Sequence, residues 1–200
     1  MFVNLINTGL IIGLSIGAVV LILIIVLVAW IIKTYNNLVK SRNQVKNQFS
    51  QIDVQLKRRF DLIPNLVETV KGYAKHEEGI LKQFAEARTM YQNAKNNDDV
   101  VGLANADARF TSGINALVNA VKETYPELQA IQNFQSLMSE LRGTEDKISY
   151  QRQFYNDVVL SYNNLREVFP SSLIANMFNF KEEKFYEAEE ASRENVKVQF

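Results

Sequence analysis

The first charged residue of the chain is Lys33, and from residue 9 to residue 32 nearly every side chain is aliphatic or absent. A helix over residues 9–32 is roughly 36 Å long at about 1.5 Å per residue, enough to cross a hydrocarbon core of about 30 Å. A cleavable signal peptide has a basic start and a shorter apolar region, which this segment lacks. Residues 1–32 are therefore predicted to be a retained transmembrane anchor that contacts lipid through residues 9–32.

The charges that follow the apolar segment predict its orientation. Between Lys33 and Arg59 there are seven basic residues and one acid, Asp53. Because basic residues near a span stay in the cytoplasm, the N-terminus is predicted outside and residues 33–200 inside, at the inner (cytoplasmic) membrane of the cell. Trp30, Lys33 and Tyr35 are typical of the membrane interface, where amphipathic rings and lysines lie among the headgroups.

Three glycines follow one another at four-residue spacing within the anchor, at Gly9, Gly13 and Gly17. This spacing places them on one helix face, where a second helix can approach closely. The alternative is that glycine is simply common in membrane helices. The spacing favours lateral pairing, and the chain is predicted to form a homo-oligomer.

The part after the anchor is predicted to be all-α. It contains few helix breakers, and no window shows the period-two alternation of a strand. Two heptad series predict long helices over about 33–74, with a possible kink at Pro64, and over about 127–169. The first series is Leu38, Val45, Ile52, Arg59, Leu66 and Tyr73, with Arg42, Phe49, Leu56, Ile63 and Val70 four residues after its members; the second is Phe134, Leu141, Ile148, Tyr155, Tyr162 and Phe169.

Two shorter helices are predicted between these long ones. Their apolar positions are Ile80, Phe84, Ala87, Tyr91 and Ala94 in one, and Leu103, Phe110, Ile114, Leu117 and Val121 in the other. Four helices with short turns and shared apolar seams predict an antiparallel four-helix bundle over residues 33–170, with coiled-coil-like left-handed crossing.

Residues 171–200 are predicted to form a separate aromatic and acidic tail. Their first ten residues include Leu173, Ile174, Met177, Phe178 and Phe180, which are too apolar to leave in water without cover. Two possibilities stay open at this point: the tail folds back on the bundle, or it is loose and binds a partner.

The composition argues against an enzyme and against a cofactor. The chain has no Cys and a single His, His76, so it offers no thiol nucleophile and no paired Glu-x-x-His ligands of a di-iron bundle. Its glycines form neither a phosphate loop nor a dinucleotide fingerprint. The charge after the anchor sums to zero (+6 over residues 33–59 and −6 over residues 60–200), which disfavours nucleic-acid binding. Residues 76–78, a His followed by two Glu, are compatible with an acidic metal or partner site, or with simple capping.

Polar residues on the first long helix are more particular than a plain bundle requires, since apolar seams tolerate many sequences. They define a candidate partner surface, which consists of Asp53, Gln55, Arg58, Asp61 and Asn65. The equally weighted alternative is a buried polar network that fixes helix register. Arg59 lies on the apolar seam itself, so it must either pair with an acid in the bundle or extend its charge to water.

The chain resembles the bacterial LemA family over about residues 35–200. The resemblance is carried above all by residues 50–77, which include SQIDVQLKRR (50–59) and DLIPNLVETVKGYA (61–74). Further matches are residues 35–43, 87–88, 162–163, 169–171 and 186–188. One departure is Phe49, where the family pattern has Trp. The resemblance implies a single-pass bacterial membrane protein with a helical-bundle domain, and it implies no defined biochemical activity.

These observations favour a membrane-anchored helical scaffold or adaptor that binds an unidentified membrane or cytoplasmic protein at the cytoplasmic face. The resemblance adds a possible link to envelope protein quality control, because genes of the family lie near membrane-protease genes in some genomes. The alternatives are a carboxylate–metal enzyme built on the bundle and a structural oligomer that organises the membrane.

Overall fold

A computed structural model shows an all-α chain, as predicted. It describes residues 2–71 and 78–188, with side chains described from residue 13 onward except at residue 78. No strand occurs in these ranges. The helices there are α1 (Phe2–Asp61), α2 (Ile63–Lys71), α3 (Glu78–Asn96), α4 (Val100–Thr124), α5 (Pro126–Gln129), α6 (Gln132–Glu167) and α7 (Ser171–Met177).

The predicted anchor and the first part of the predicted bundle form one continuous helix, α1. The sequence explains this continuity, since neither Gly nor Pro occurs between Gly17 and Pro64. The helix is interrupted at Leu62, because Pro64 has no N–H to donate to the preceding turn. There the Leu62 N–H donates to the carbonyl of Arg59 at 3.3 Å, and regular bonding resumes from Leu66 to Leu62 at 3.0 Å. The kink predicted at Pro64 is thus confirmed as a short break, while residues 72–74 lie outside the described residues.

The apolar stripes predicted for the helices are confirmed almost throughout. All five stripe positions of α3 and all five of α4 are buried. In α1 and α2 the buried stripe runs through Leu38, Val45, Ile52, Leu56, Arg59, Ile63, Leu66 and Val70, and in α6 through Phe134, Leu141, Ile148, Tyr155 and Tyr162. Arg42 and Phe49 are half-buried, and Tyr73 lies outside the described residues.

The prediction of one long helix over about residues 127–169 is wrong at both ends. The segment begins as the separate short helix α5, because the amides of Leu128, Ala130 and Ile131 donate to carbonyls three residues back and tighten the chain into a turn. That turn buries Leu128 completely. At the other end α6 stops at Glu167, because the residue before a proline disfavours helical backbone. Phe169, predicted on the seam, is 75% exposed.

The chain divides into two compact units. The anchor unit is the described part of Met1–Asn43 together with Ser161–Glu182, and the core unit is the described part of Gln44–Leu160 together with residues 183–188. The domain boundaries inferred from sequence at residues 32/33 and 170/171 stay a prediction.

An aromatic cluster joins α1, α3 and α4 within the core unit. The Phe60 ring stacks on Tyr91 with centroids 4.4 Å apart and lies 5.4 Å from Phe110, which in turn lies 5.4 Å from Phe84. Such pairs contribute about 0.5–1.5 kcal/mol each beyond the area they bury. Gly113 makes this packing possible, since a Cβ at that position would stand 2.9 Å from the Phe84 ring.

Neighbouring helices of the core unit run antiparallel where their contacts are described. Along α1, Asp53 and Phe60 meet Lys95 and Tyr91 of α3, in reverse order. The α6 side chains Tyr155 and Glu140 meet Phe49 and Arg58 of α1 in the same reversed sense. These contacts support the antiparallel four-helix bundle, which stays a prediction as a complete arrangement.

Residues 178–188 of the tail fold back onto the helices. For this part, the first of the two possibilities left by the sequence therefore holds. In the anchor unit, the Tyr162 hydroxyl donates to the carbonyl of Lys181 at 2.7 Å. In the core unit, the Tyr155 hydroxyl donates to the carbonyl of Lys184 at 2.9 Å, and the Tyr186 N–H donates to Asn156 Oδ1 at 2.8 Å. Residues 189–200 lie outside the described residues.

Leu56 and Val54 provide a test of the stripe within one turn of α1. Leu56 is fully buried, whereas Val54 is 57% exposed. We expect Leu56→Ala to lower the free energy of unfolding by about 2–5 kcal/mol, because it removes buried atoms and leaves a cavity. Val54→Ala should change it by no more than about 0.5 kcal/mol. Denaturant unfolding of the full chain in mild detergent, followed by helical circular dichroism, measures both values, and equal losses would contradict the stripe.

Candidate functional site

Two members of the candidate partner surface form ion pairs between helices of the core unit. Asp53 is half-buried and accepts hydrogen bonds from Lys95 Nζ of α3 at 2.9 and 3.0 Å. Arg58 donates through Nε and Nη2 to Glu140 Oε1 of α6 at 3.0 and 2.6 Å. Both pairs are partly exposed, so they fix which side chains face each other more than they add stability.

The other three members lie in different surroundings. Asp61 and Asn65 are exposed and one helical turn apart in sequence, on either side of the break at Leu62. Gln55 is half-buried, and its Oε1 is buried without a hydrogen-bond partner. Of the five residues, the structure therefore places Asp61 and Asn65 toward solvent and engages Asp53 and Arg58 in the packing of the helices.

Arg59, next to Arg58, is the most buried charge of the core unit. Its side chain is 1% exposed, and its Nη1 donates a hydrogen bond to Asp107 Oδ1 of α4. Nη2 lies 3.5 Å from Glu145 Oε2 of α6, and the guanidinium stands 5.1 Å from the centroid of the Phe110 ring. The alternatives left by the sequence are thus resolved in favour of pairing, since Arg59 joins α1, α4 and α6 through two carboxylates.

Burial shapes the electrostatics of this cluster. Desolvation raises the pKa of the Asp107 carboxyl above its ordinary value, although the adjacent Arg59 opposes the shift. Tyr186 of the tail lies close enough for the Asp107 charge to raise its pKa further, after burial itself. The Tyr186 hydroxyl, Arg59 Nε and Arg59 Nη2 are buried without a hydrogen-bond partner. The cluster is therefore a buried polar network in which the charges, rather than hydrogen bonds alone, hold the groups together.

A second polar group links α1 to α3 at the edge of the aromatic cluster. Desolvation alone would lower the pKa of Lys95, but its hydrogen bonds to Asp53 and Tyr91 raise it above the ordinary value. Burial raises the pKa of the Tyr91 hydroxyl, against the effect of Lys95. Lys95 therefore stays protonated and keeps its ion pair with Asp53 through the physiological range.

The sequence analysis missed the partners of Arg59. Asp107 lies four residues after Leu103 and three before Phe110, which is a seam position of α4. The available signal was a charged residue at a seam position of one helix together with an opposite charge at a seam position of another helix. Glu145 carried the same signal, since it lies four residues after Leu141 and three before Ile148 of the α6 seam. Tyr186 carried none, because it lies in the tail and belongs to no helical seam.

No group of three or more His, Cys, Asp and Glu side chains in the described ranges is arranged to hold a metal ion. The carboxylates of Asp107 and Glu145 are both paired with Arg59. Residues 76–77 of the His-Glu-Glu motif lie outside the described residues.

The residues predicted for the membrane lie where the apolar part of α1 ends. Every residue from 13 to 29 is exposed, while Trp30 is half-buried and Lys33 is exposed. The Tyr35 ring lies 4.7 Å from Phe178 and 5.7 Å from Phe180, measured between centroids. Gly9 lies in the same helix. Apart from the helix's own nearby backbone, no described atom comes within 4 Å of the place where a Cβ would stand at Gly13 or Gly17.

These features define a helical protein with one candidate membrane span in its described part. The part of α1 from Gly13 is long and apolar enough to cross a bilayer, and its most apolar stretch is entirely unburied. The charged helices that follow it form the core unit around the Arg59 cluster.

Comparisons with known proteins agree with this class. The chain belongs to the LemA family, whose profile matches residues 48–200. It is 25% identical over 191 residues to magnetosome protein MamQ 2 of Paramagnetospirillum magneticum, with 84% of this chain and 70% of that protein covered. It is 24% identical over 162 residues to protein LemA of Metamycoplasma hominis, with 80% and 72% covered. The MamQ protein of Magnetospirillum gryphiswaldense is 21% identical over 192 residues, with 84% and 70% covered.

Arg58 and Arg59 form a matched pair for testing the buried cluster. We expect Arg59→Met to lower the free energy of unfolding by about 3–5 kcal/mol, because it leaves the Asp107 carboxylate buried without its cation. Arg58→Met removes only a partly exposed pair and should cost no more than about 1 kcal/mol.

The double variant Arg59→Met with Asp107→Leu separates charge from shape. Because apolar side chains of similar size can replace a buried pair, it should recover most of the stability that Arg59→Met loses. Denaturant unfolding in detergent measures all three variants. Equal losses for Arg58→Met and Arg59→Met, or no recovery in the double variant, would contradict the role assigned to the pair.

Proposed function

We propose that this chain is a membrane-anchored helical scaffold that binds other proteins at the cytoplasmic face of the cell membrane, and that it is not an enzyme. The observation that carries the proposal is the contrast along α1. Residues 13–29 are apolar and unburied, whereas the same helix beyond residue 43 forms a seam of the core unit. The basic residues between Lys33 and Arg59 favour the cytoplasmic side for that unit.

The names of the relatives are compatible with this proposal. They are magnetosome proteins MamQ and a protein LemA, and neither name specifies a reaction. In the described part of the chain, the buried Arg59 pairs with Asp107 and the partly exposed Lys95 pairs with Asp53, and such pairs between helices suit a rigid framework. The link to envelope protein quality control remains an extension of this proposal.

The exposed polar side chains beside the break at Leu62 are the candidate contact with a partner. Asp61 and Asn65 are exposed, and among the described residues no side-chain ion pair or hydrogen bond ties either of them to another helix. The neighbouring buried residues Phe60, Ile63 and Leu66 hold this backbone firmly. A rigid backbone that presents unpaired polar groups can bind a partner without first ordering them, which lowers the cost of association.

A photo-crosslinking amino acid placed at Asp61 or at Asn65 tests this surface in living cells. We expect both positions to form discrete adducts with one or more other proteins, which are then identified by mass spectrometry. Tyr150, which is 64% exposed on α6, serves as the matched control and should form none of these adducts. Absence of adducts at both positions, or the same adducts at Tyr150, would contradict binding at this surface.

We also propose that the anchor associates with a second copy through the glycine stripe. Because no described atom other than the helix's own nearby backbone lies within 4 Å of a Cβ at Gly13, a Cβ there meets no clash in the described part of the chain. Gly13→Ile would nevertheless block the close approach of a second helix. We expect Gly13→Ile to reduce oligomers in a membrane two-hybrid assay.

Ala18→Ile provides the control for this test. It adds a similar volume to the same helix about 140° from the centre of the stripe, at 3.6 residues per turn, and should leave the oligomers unchanged. An unchanged distribution with Gly13→Ile would show that the stripe does not carry the association.

A further inference from the structure

A cluster of large apolar side chains is exposed at the corner between α6 and α7. We call it the α6–α7 corner; its exposed members are Val168, Phe169, Leu173, Met177 and Phe178. Phe169 and Met177 are 75% and 70% exposed, respectively. Contiguous apolar groups of this size are not left in water without a function. All five belong to the anchor unit.

The helix α7 is apolar on more than one side. Ile174 and Ala175 are buried, while Leu173 and Met177 of the same two turns are exposed. A helix that covers the surface of a soluble domain normally turns polar residues outward. The outward side of α7 therefore fits an apolar surrounding better than water.

The corner lies beside the end of the apolar part of α1. The Phe178 ring is 4.7 Å from Tyr35, which follows Ile32 by three residues. Three residues of helix rise about 4.5 Å. Each headgroup layer is about 5–8 Å thick, so Phe178 lies at headgroup depth when residues 9–32 span the hydrocarbon.

Burial along α1 supports the same depth. Residues 13–29 are all exposed, Trp30 and Ile31 are half-buried, and Thr34 and Leu38 are buried. The other segment of the anchor unit is Ser161–Glu182, and its Phe178 and Phe180 contact α1 at Tyr35. The cover thus begins within the last turn of the uncharged stretch, where the surroundings change from lipid to headgroups.

Two cations of the anchor unit contact other groups of the protein. Arg166 pairs with Glu167 at 2.9 Å and with Glu182 at 3.5 Å. The Arg42 guanidinium stands 5.1 Å from the centroid of the Phe180 ring. The exposed members of the corner are themselves uncharged, so a contact that they make would depend on apolar burial.

We propose that the α6–α7 corner inserts Phe169, Leu173, Met177 and Phe178 into the boundary between headgroups and acyl chains, as a second membrane contact next to the span. Apolar side chains at such an interface bury about 5–10 Å into the bilayer. Two contacts fix the orientation of the anchor unit on the membrane, which a single span does not. This inference rests on the membrane anchor of the proposed function and is independent of partner binding.

Fluorescence quenching by brominated lipid tests the contact, because Trp30 is the one tryptophan of the chain. The full chain carrying Trp30→Phe and Phe169→Trp is reconstituted into phosphatidylcholine vesicles with bromine on the upper acyl chain. We expect brominated vesicles to remove about half of the fluorescence seen in unbrominated ones, as for a ring at interfacial depth. Helical circular dichroism checks folding, and Met177→Trp in the same background provides a second reporter.

Two controls frame the result. In the unmodified chain, Trp30 should be quenched by the brominated lipid. Tyr150→Trp with Trp30→Phe places an equally exposed ring in the core unit and should lose little fluorescence. Quenching at 169 and 177 but not at 150 supports the proposal.

Three results would overturn it. Rings at 169 and 177 that escape lipid bromine but are quenched by acrylamide in the water phase lie open to solvent. Rings shielded from both are covered by protein, such as a second copy. Equal lipid quenching at 150 shows no preference for the corner. If Trp30 itself escapes lipid quenching, the span fails and the membrane anchor of the proposed function fails with it.

Discussion

A bilayer accepts a polypeptide only if every backbone N–H and C=O is bonded within the protein, and this requirement governs the first half of α1. Residues 13–29 meet it as an uncharged helix whose side chains face outward in every direction. From Lys33 the same helix carries charged residues and buries one stripe instead, which begins at Thr34 and Leu38. The change of surroundings therefore fixes where the protein can start to pack against itself.

Within the core unit, apolar seams and one buried charge have different roles. Leucines and aromatic rings on the seams supply most of the stabilisation, but many arrangements of similar volume would serve equally well. Arg59 restricts the choice, because only an alignment that brings Asp107 and Glu145 to its guanidinium avoids an unpaired buried charge. This network is distinct from the five polar residues weighed from the sequence, of which Asp61 and Asn65 are exposed.

The sequence was sufficient for features that depend on local periodicity. The stripes of α3 and α4, the buried series of α1 and the interruption near Pro64 all follow from spacing and from the chemistry of proline. Spacing failed where the chain departs from one helix, as at Ala130–Ile131, and where the seam ends before Phe169. The partners of Arg59 and the return of the tail to Tyr155 depend on contacts between distant residues, which periodicity does not encode.

The central claim is that the chain spans the membrane with its helical units in the cytoplasm. Because it contains no cysteine, single cysteines report topology against a clean background. Asn4→Cys lies before the span, and Ser149→Cys lies at an exposed position of α6. With a membrane-impermeant thiol reagent, we expect intact cells to label position 4 and to label position 149 only after lysis. Labelling of position 149 in intact cells, with position 4 protected, would contradict the account.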